Sequence, residues 1–454
     1  MAESIPMIAR RQNIYDDYLF AEEKKASSRE TELLGTFFQF LANFDFDRAS
    51  DVIAQNKDRK QTTSMHSWGS LLTQLHDLTA HEKSYHNLEF FEQKWFGRKE
   101  SLKSAYDSVA NELRHLQKVF SQRRSGMSSQ WETQMSQLCQ QLLTFVSVRQ
   151  QMMQYYCELA AMATSLVLID YNKELSKIGT LKQQCGSLHF LEPMESMSKM
   201  IKDELQCLEL VNESQIRIAS CQFLEALLSL DACKSLLMSW NGPSPQIKKP
   251  RFLLISKYTG ETQLHHWLRQ FYSLLLAKFS LYNHKVLVAQ SPSADVKLPV
   301  ELDFYARLFQ FQKVTNAVNV AVVFDANGST EVYQGYGYHL PDAKAERPFG
   351  LSSYPAIVSI PSDIVLEHWP SIVCLVTERS QHLDQNPNPL QFLDEKTQNL
   401  YIVTKIEEKM YLVLIYKSRR QSRDLAIASF LSEMISILRN TRQYNLLHQK
   451  KTKQ

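Results

Sequence analysis

Three histidines in one short stretch, HDLTAHEKSYH, are the first residues of this chain whose spacing invites a chemical reading. His81-Glu82 opens like the H-E-x-x-H signature of zinc hydrolases, where two imidazoles one helical turn apart meet a single metal and the glutamate acts as general base. Here the next histidine is His86, at i+5 rather than i+4. At ~100° per residue, successive members of His76, His81 and His86 diverge by ~140° around a helix, a poor ligand set. They read as exposed or rim histidines. His265 and His266 are adjacent and diverge in the same way.

The glycines raise a second possibility. Gly335-Tyr336-Gly337-Tyr338-His339-Leu340 begins as a dinucleotide fingerprint, but Leu340 stands where the third glycine belongs and Pro341 follows. That fingerprint needs a helix N-terminus to hold the pyrophosphate, and this segment reads as loop. A hairpin suits VFDANGSTEVYQGYGYHLP better. Asn327-Gly328 tolerates the positive φ of a tight turn, so Phe324 is expected to lead out of, and Val332 into, paired strands. Gly335 and Gly337 would leave one strand face bare, where a bulge or another backbone can approach, with Tyr336 and Tyr338 opposite. His368-Trp369 precedes SIVCLVT and is placed at the mouth of the sheet, as a recognition surface or a packed tryptophan. Gly335, Tyr336, Gly337, Tyr338, His339, His368 and Trp369 thus form the candidate partner-contact surface. No Walker loop, G-x-S-x-G, kinase set or Cys/His nucleophile arrangement occurs, so no catalytic, cofactor-binding or metal residue is expected and the chain reads as a non-enzyme.

The elements that must position these residues fall into two halves. The chain has 454 residues, 44% hydrophobic and 22% charged, enough for two or three folded domains. Only 12 glycines suggest long helices, and a net charge of +3 supplies no field that would recruit nucleic acid. The seven cysteines show no C-x-x-C spacing and read as small apolar core residues of a reducing compartment. No apolar secretory core follows MAESIPMIARRQ, and LAAMATSLVLI falls well short of the ~20 residues of a membrane helix. The protein is therefore expected in the cytoplasm, or at a membrane surface through other proteins. The short basic groups, Lys248-Lys249, Arg419-Arg420 and the QKKTKQ tail, read as solvated ends or as a weak attraction to acidic partners or lipid heads.

Residues 1–30 read as a mobile charged arm. Apolar residues at helical spacing then run through 31–241, as in Trp68, Leu71, Leu72, Leu75 and Leu78, and imply an antiparallel helical bundle. One long pattern is expected from Met194 to Trp240. NGPSPQIKKPR (Asn241–Arg251) marks the linker, assigned to 242–256, and a cut at Asn241–Arg251 is expected to release two folded pieces. Residues 257–447 read as an α+β domain: an amphipathic helix, a mainly antiparallel sheet of five or six strands including TEVYQGYGY and SIVCLVT, and a closing helix. Its architecture resembles the roadblock, longin and profilin type. Residues 448–454 form a basic tail.

Several long blocks occur in an order that resembles the KICSTOR subunit 2 family. They include LGTFFQFLANFDFDRA, EKSYHNLEFF, RKESLKSAYDSVANEL, LLAKFSLYNHKVL, NVAVVFDANGSTEVYQGYGYHLP and HWPSIVCLVTER. The charged arm and much of 160–250 depart from it. The resemblance implies a scaffold subunit without enzymatic activity or cofactor. It implies kaptin-like, FG-GAP repeat and very large seizure-threshold partner subunits, and a GATOR-type complex that activates GTP hydrolysis on Rag GTPases. It places the protein at the lysosomal membrane surface, indirectly attached, restraining mTOR signalling when nutrients fall. A different class, a small-molecule nutrient sensor with a pocket between sheet and helices near Tyr336, Tyr338 and His368, stays open at this point.

Overall fold

The computed structural model describes residues 29–57, 66–91, 101–122, 130–164, 168–186, 192–240, 262–290, 299–328, 333, 335, 346–362, 366–385, 388–417 and 425–448. All of the linker, the basic tail apart from His448, most of the arm and the TEVYQGYGY segment apart from Tyr333 and Gly335 lie outside them. The chain forms two compact units that do not follow its linear order: 1–155 with 180–205 and 239–264, and 156–179 with 206–238 and 265–454.

The first unit is mostly helical. Helix α1 (29–42) ends at a turn where Phe44 adopts φ 61°, and α2 (Phe46–Lys57) follows. Next come α3 (His66–His86), α4 (Leu102–Gln122) and α5 (Gln130–Met162). Trp68, Leu71, Leu72, Leu75 and Leu78 are all buried, as their spacing requires. Helices α6 (Tyr171–Gly186) and α7 (Glu195–Ala219) contribute, with α5, to both units. The long pattern expected from Met194 to Trp240 is interrupted: Cys221 takes φ 57°, and α8 (Phe223–Ser239) starts afresh. A non-glycine residue in that region cannot continue a right-handed helix.

The second unit is built on a five-stranded sheet, β1 (Asn319–Phe324), β2 (Ala356–Ile360), β3 (Leu390–Asp394), β4 (Asn399–Glu407) and β5 (Met410–Lys417). The order is β2-β1-β5-β4-β3, and every pair is antiparallel. Both faces of the sheet are covered. Ala321, Val323, Tyr401, Val403, Tyr411, Val413 and Ile415 share a core with α12 (Trp369–Glu378) and α13 (Ser380–Gln385). On the opposite parity, Val320, Val322, Ile402, Leu412 and Leu414 are equally buried. Helices α9 (Gln263–Tyr282), α10 (His284–Gln290), α11 (Phe304–Thr315), α14 (Leu425–Leu438) and α15 (Thr441–Asn445) complete the unit. Rings of α11 and α14 stack where Phe311 meets Phe430, with centroids 3.8 Å apart.

Two expectations are corrected. SIVCLVT is helix α12, not a strand. A short apolar run fits either period, and here Trp369, Ile372, Leu375 and Val376 fall on one helical face, with Pro370 in the first turn where its missing N–H costs nothing. Strand β1, which ends at Phe324, pairs with β2 on one edge and β5 on the other, so neither edge is open to a following hairpin strand; Val332 lies outside the described residues. Asn327-Gly328 does form a turn, with Gly328 at φ +64° and the Asp325 carboxylate accepting from the Asn327 backbone N–H at 2.9 Å. Strand β3 is a short edge strand with two of its five residues exposed and the other three partly buried.

Candidate functional site

Of the seven residues singled out as a partner-contact surface, Gly335, His368 and Trp369 are described, and Tyr336, Gly337, Tyr338 and His339 lie outside the described residues. Gly335 is half-buried with φ +92°, a conformation that a side chain would strain. His368 and Trp369 stand together at the start of α12, 3% and 8% exposed. The indole packs in the core beneath β4 and β5, and His368 Nδ1 lies 2.8 Å from the Tyr401 hydroxyl. Burial pushes the imidazole below its ordinary pKa, partly opposed by Glu367. The neutral ring is thereby favoured in the core.

The HDLTAHEKSYH stretch holds the densest polar chemistry of the first unit, around a residue that spacing arguments passed over. His76 is exposed and His81 half-buried, but His86 is buried, which corrects the reading of a rim histidine. Glu82 and His86 are one helical turn apart and share the inward face of α3 with Tyr85. Facing them is Arg149 of α5, wholly buried. Its Nε donates to both Glu82 oxygens at 3.1 and 3.0 Å, and Nη1 donates to Glu204 of α7 at 2.6 Å. Tyr106 of α4 donates to Glu82 at 2.7 Å and Tyr85 to Glu204 at 2.6 Å, while the guanidinium carbon lies 4.3 Å from the Tyr85 ring centroid. Burial opposes ionisation of Glu82 most strongly, but Arg149, with His86 and Tyr106, outweighs it and holds the carboxyl down at about 2. Burial, then Glu204 and Glu82 respectively, drive the Tyr85 and Tyr106 hydroxyls far above the usual phenol range. Both tyrosines are therefore donors, and the cluster joins four helices.

The second unit has its own polar centre. Lys278 of α9 is wholly buried and donates to the Glu407 carboxylate at the end of β4, to Gln215 of α7 at 2.7 Å and to the Leu438 carbonyl closing α14 at 2.7 Å. Gln215 in turn donates to Glu407 at 3.0 Å. Asn440, at φ 62°, donates to Gln215 at 2.9 Å and to the Tyr171 hydroxyl of α6 at 2.6 Å. Burial lowers the Lys278 pKa and Glu407 counters it.

These clusters fix helices and strands. Apart from His86 Nδ1, which has no hydrogen-bond partner among the described residues, the charged and hydroxyl groups described above bond one another and are shut away from water, which suits structural clamps rather than exposed acid–base or nucleophilic groups. Among the described residues, no group of three or more His, Cys, Asp and Glu could hold a metal ion. All seven cysteines are free thiols, four of them buried, with Cys157 and Cys374 exposed. No helix among the described residues is long and apolar enough to cross a membrane.

Fold and clusters together define a protein with a mostly helical region, then a five-stranded antiparallel sheet flanked by helices, each held by a buried ionic centre. Residues 22–451 match the family described as KICSTOR complex C12orf66 like, and the chain belongs to that family. It is 31% identical over 429 residues to KICSTOR subunit 2 of Xenopus laevis, covering 91% of this chain and 96% of that protein. To KICSTOR subunit 2 of Danio rerio it is 30% identical over 439 residues, covering 94% and 97%.

Proposed function

We propose that the protein is a non-enzymatic scaffold subunit of a KICSTOR-type complex. One observation carries this reading: identity of about 30% extends over more than 90% of both chains in relatives named KICSTOR subunit 2, so helical and sheet units are shared together rather than one module alone. The sealed state of the two polar centres supports a structural role. As such a scaffold it works beside kaptin-like, FG-GAP repeat and very large seizure-threshold subunits at the lysosomal surface. It raises the local concentration of a GATOR-type complex near Rag GTPases and so restrains mTOR signalling when nutrients fall. The sheet unit is of the roadblock, longin and profilin general type, an architectural likeness supported by its antiparallel five-stranded sheet with helices on both faces.

The segment from Gly335 to His339 is the partner contact we assign within the sheet unit, and His368 and Trp369, both buried, contribute by holding the sheet core. Native affinity capture of the tagged full chain tests the scaffold reading: KICSTOR-type subunits should co-purify in fixed ratio. A protein recovered alone under gentle conditions would sink it.

A further inference from the structure

We propose that a cleft in the first unit is a docking groove for a basic peptide segment of a partner protein. The cleft has a volume of about 1020 Å³ and is lined by α1, by Glu192 and Pro193 and by the start of α7. On the α1 side Thr31, Gly35 and Gln39 recur every fourth residue, so one helix face forms the wall. A Cβ built at Gly35 would meet nothing within 4 Å, so the absent side chain leaves open space rather than a packed contact.

Four carboxylates line the cleft, Glu32, Glu192, Glu195 and Asp203, against two ammonium groups, Lys199 and Lys202. The balance is acidic, and burial lifts the Asp203 carboxyl above its ordinary pKa, with Lys199 offsetting part of the rise. A cation brought alongside would relieve that cost. A separate observation points to a ligand. Ser198 is 6% exposed, lines the same cleft, and its hydroxyl has no hydrogen-bond partner among the described residues. A hydroxyl on so buried a side chain ordinarily finds a partner, and one facing an open groove is available to a visiting backbone carbonyl or amide.

The shape favours a peptide. Thr31 to Gln39 spans about 12 Å of helix, the reach of roughly four extended residues. Small-molecule pockets are lined mostly by hydrophobic and aromatic side chains, whereas the residues lining this cleft, Gly35 and Pro193 apart, all carry a polar or charged group. Arginine or lysine of the incoming segment would pair with the surplus carboxylates while its backbone meets Ser198, Thr31 and Gln39. The proposal rests on the scaffold reading, to which it adds a specific contact.

Fluorescence anisotropy with the purified full chain tests it, using a labelled heptapeptide alternating glycine and arginine, and counterparts with glutamine or glutamate for arginine. The arginine peptide should bind, the others at least tenfold more weakly. Gly35→Phe should weaken binding at least tenfold. Its melting temperature should stay level or rise, because the side chain enters open space and glycine is a poor helix residue. Loose attraction to an acidic surface would survive Gly35→Phe, so unchanged binding in that variant overturns the proposal. Equal binding of all three peptides does the same. Arginine-peptide binding that emerges only after deletion of residues 1–28 would give the cleft to the chain's own arm and also contradict it. Capture of KICSTOR-type subunits by a wild-type chain that binds no peptide refutes the groove alone. A chain that captures none refutes the scaffold reading instead.

Discussion

Arg149 sits between two buried carboxylates, and its removal would leave both without their counter-charge. Arg149→Met fills much of the volume but strands Glu82 and Glu204. A loss of roughly 3–5 kcal/mol is expected, the usual cost of breaking a buried ion pair on one side. Urea unfolding measures it, and a loss within 1 kcal/mol, on the order of a surface substitution, would show the cluster to be dispensable. The Glu82 carboxyl adds a pH dependence. Its folded pKa is depressed from 4.5 to about 2, so its stabilising contribution is complete above pH 4.5 and fades as pH falls towards 2. Glu82→Gln should therefore show a shallower acid unfolding profile than wild type over that interval, and superimposable profiles would count against the assignment. Sequence held a signal here that spacing of histidines obscured: an arginine inside the apolar run FVSVRQQMM can be buried only if paired. Its partners lie on other helices, and no local pattern names them.

At the scale of elements, period and chemistry sometimes parted. The stripe of α3 was legible because it supplies several repeats of its own period, and β1, β4 and β5 because they are β-branched and aromatic-rich runs bounded by turn residues, buried almost throughout. SIVCLVT was not, since a seven-residue run with five apolar residues in a row and several β-branched types satisfies a strand as well as a helix until Pro370 and the sheet core decide. Asn440 shows how an element end is fixed from afar. It joins α14 to α15 in a left-handed conformation while bonding Tyr171 and Gln215. Asn440→Ala loses both bonds, at about 1–3 kcal/mol, and adds about 1–2 kcal/mol of backbone strain. Asn440→Gly should recover the strain component only. Denaturant midpoints should rank wild type, glycine, alanine, and an alanine variant equal to wild type would show that neither term operates.

For the whole molecule, the compact units are discontinuous in sequence, which no reading of linkers could disclose. Residues 156–179 and 206–238 belong with 265–454, and Tyr171 and Gln215 reach Lys278, Glu407 and Asn440 within that unit. This changes what a cut in 242–256 should do. The two pieces should co-elute on gel filtration after cleavage and separate only in denaturant, whereas two independently eluting folded pieces would contradict the network's role. Sequence named Gly335 and the His368-Trp369 pair but not the positive φ of the one or the burial of the other, and the cleft between α1 and α7 depends on helices distant in sequence. The scaffold account meets its most direct test in cells lacking this protein, starved of amino acids, from which lysosomes are isolated and their GATOR-type complex quantified. Lysosomal GATOR-type complex should fall on loss of the protein and return on its re-expression; an amount unchanged by either would contradict the account.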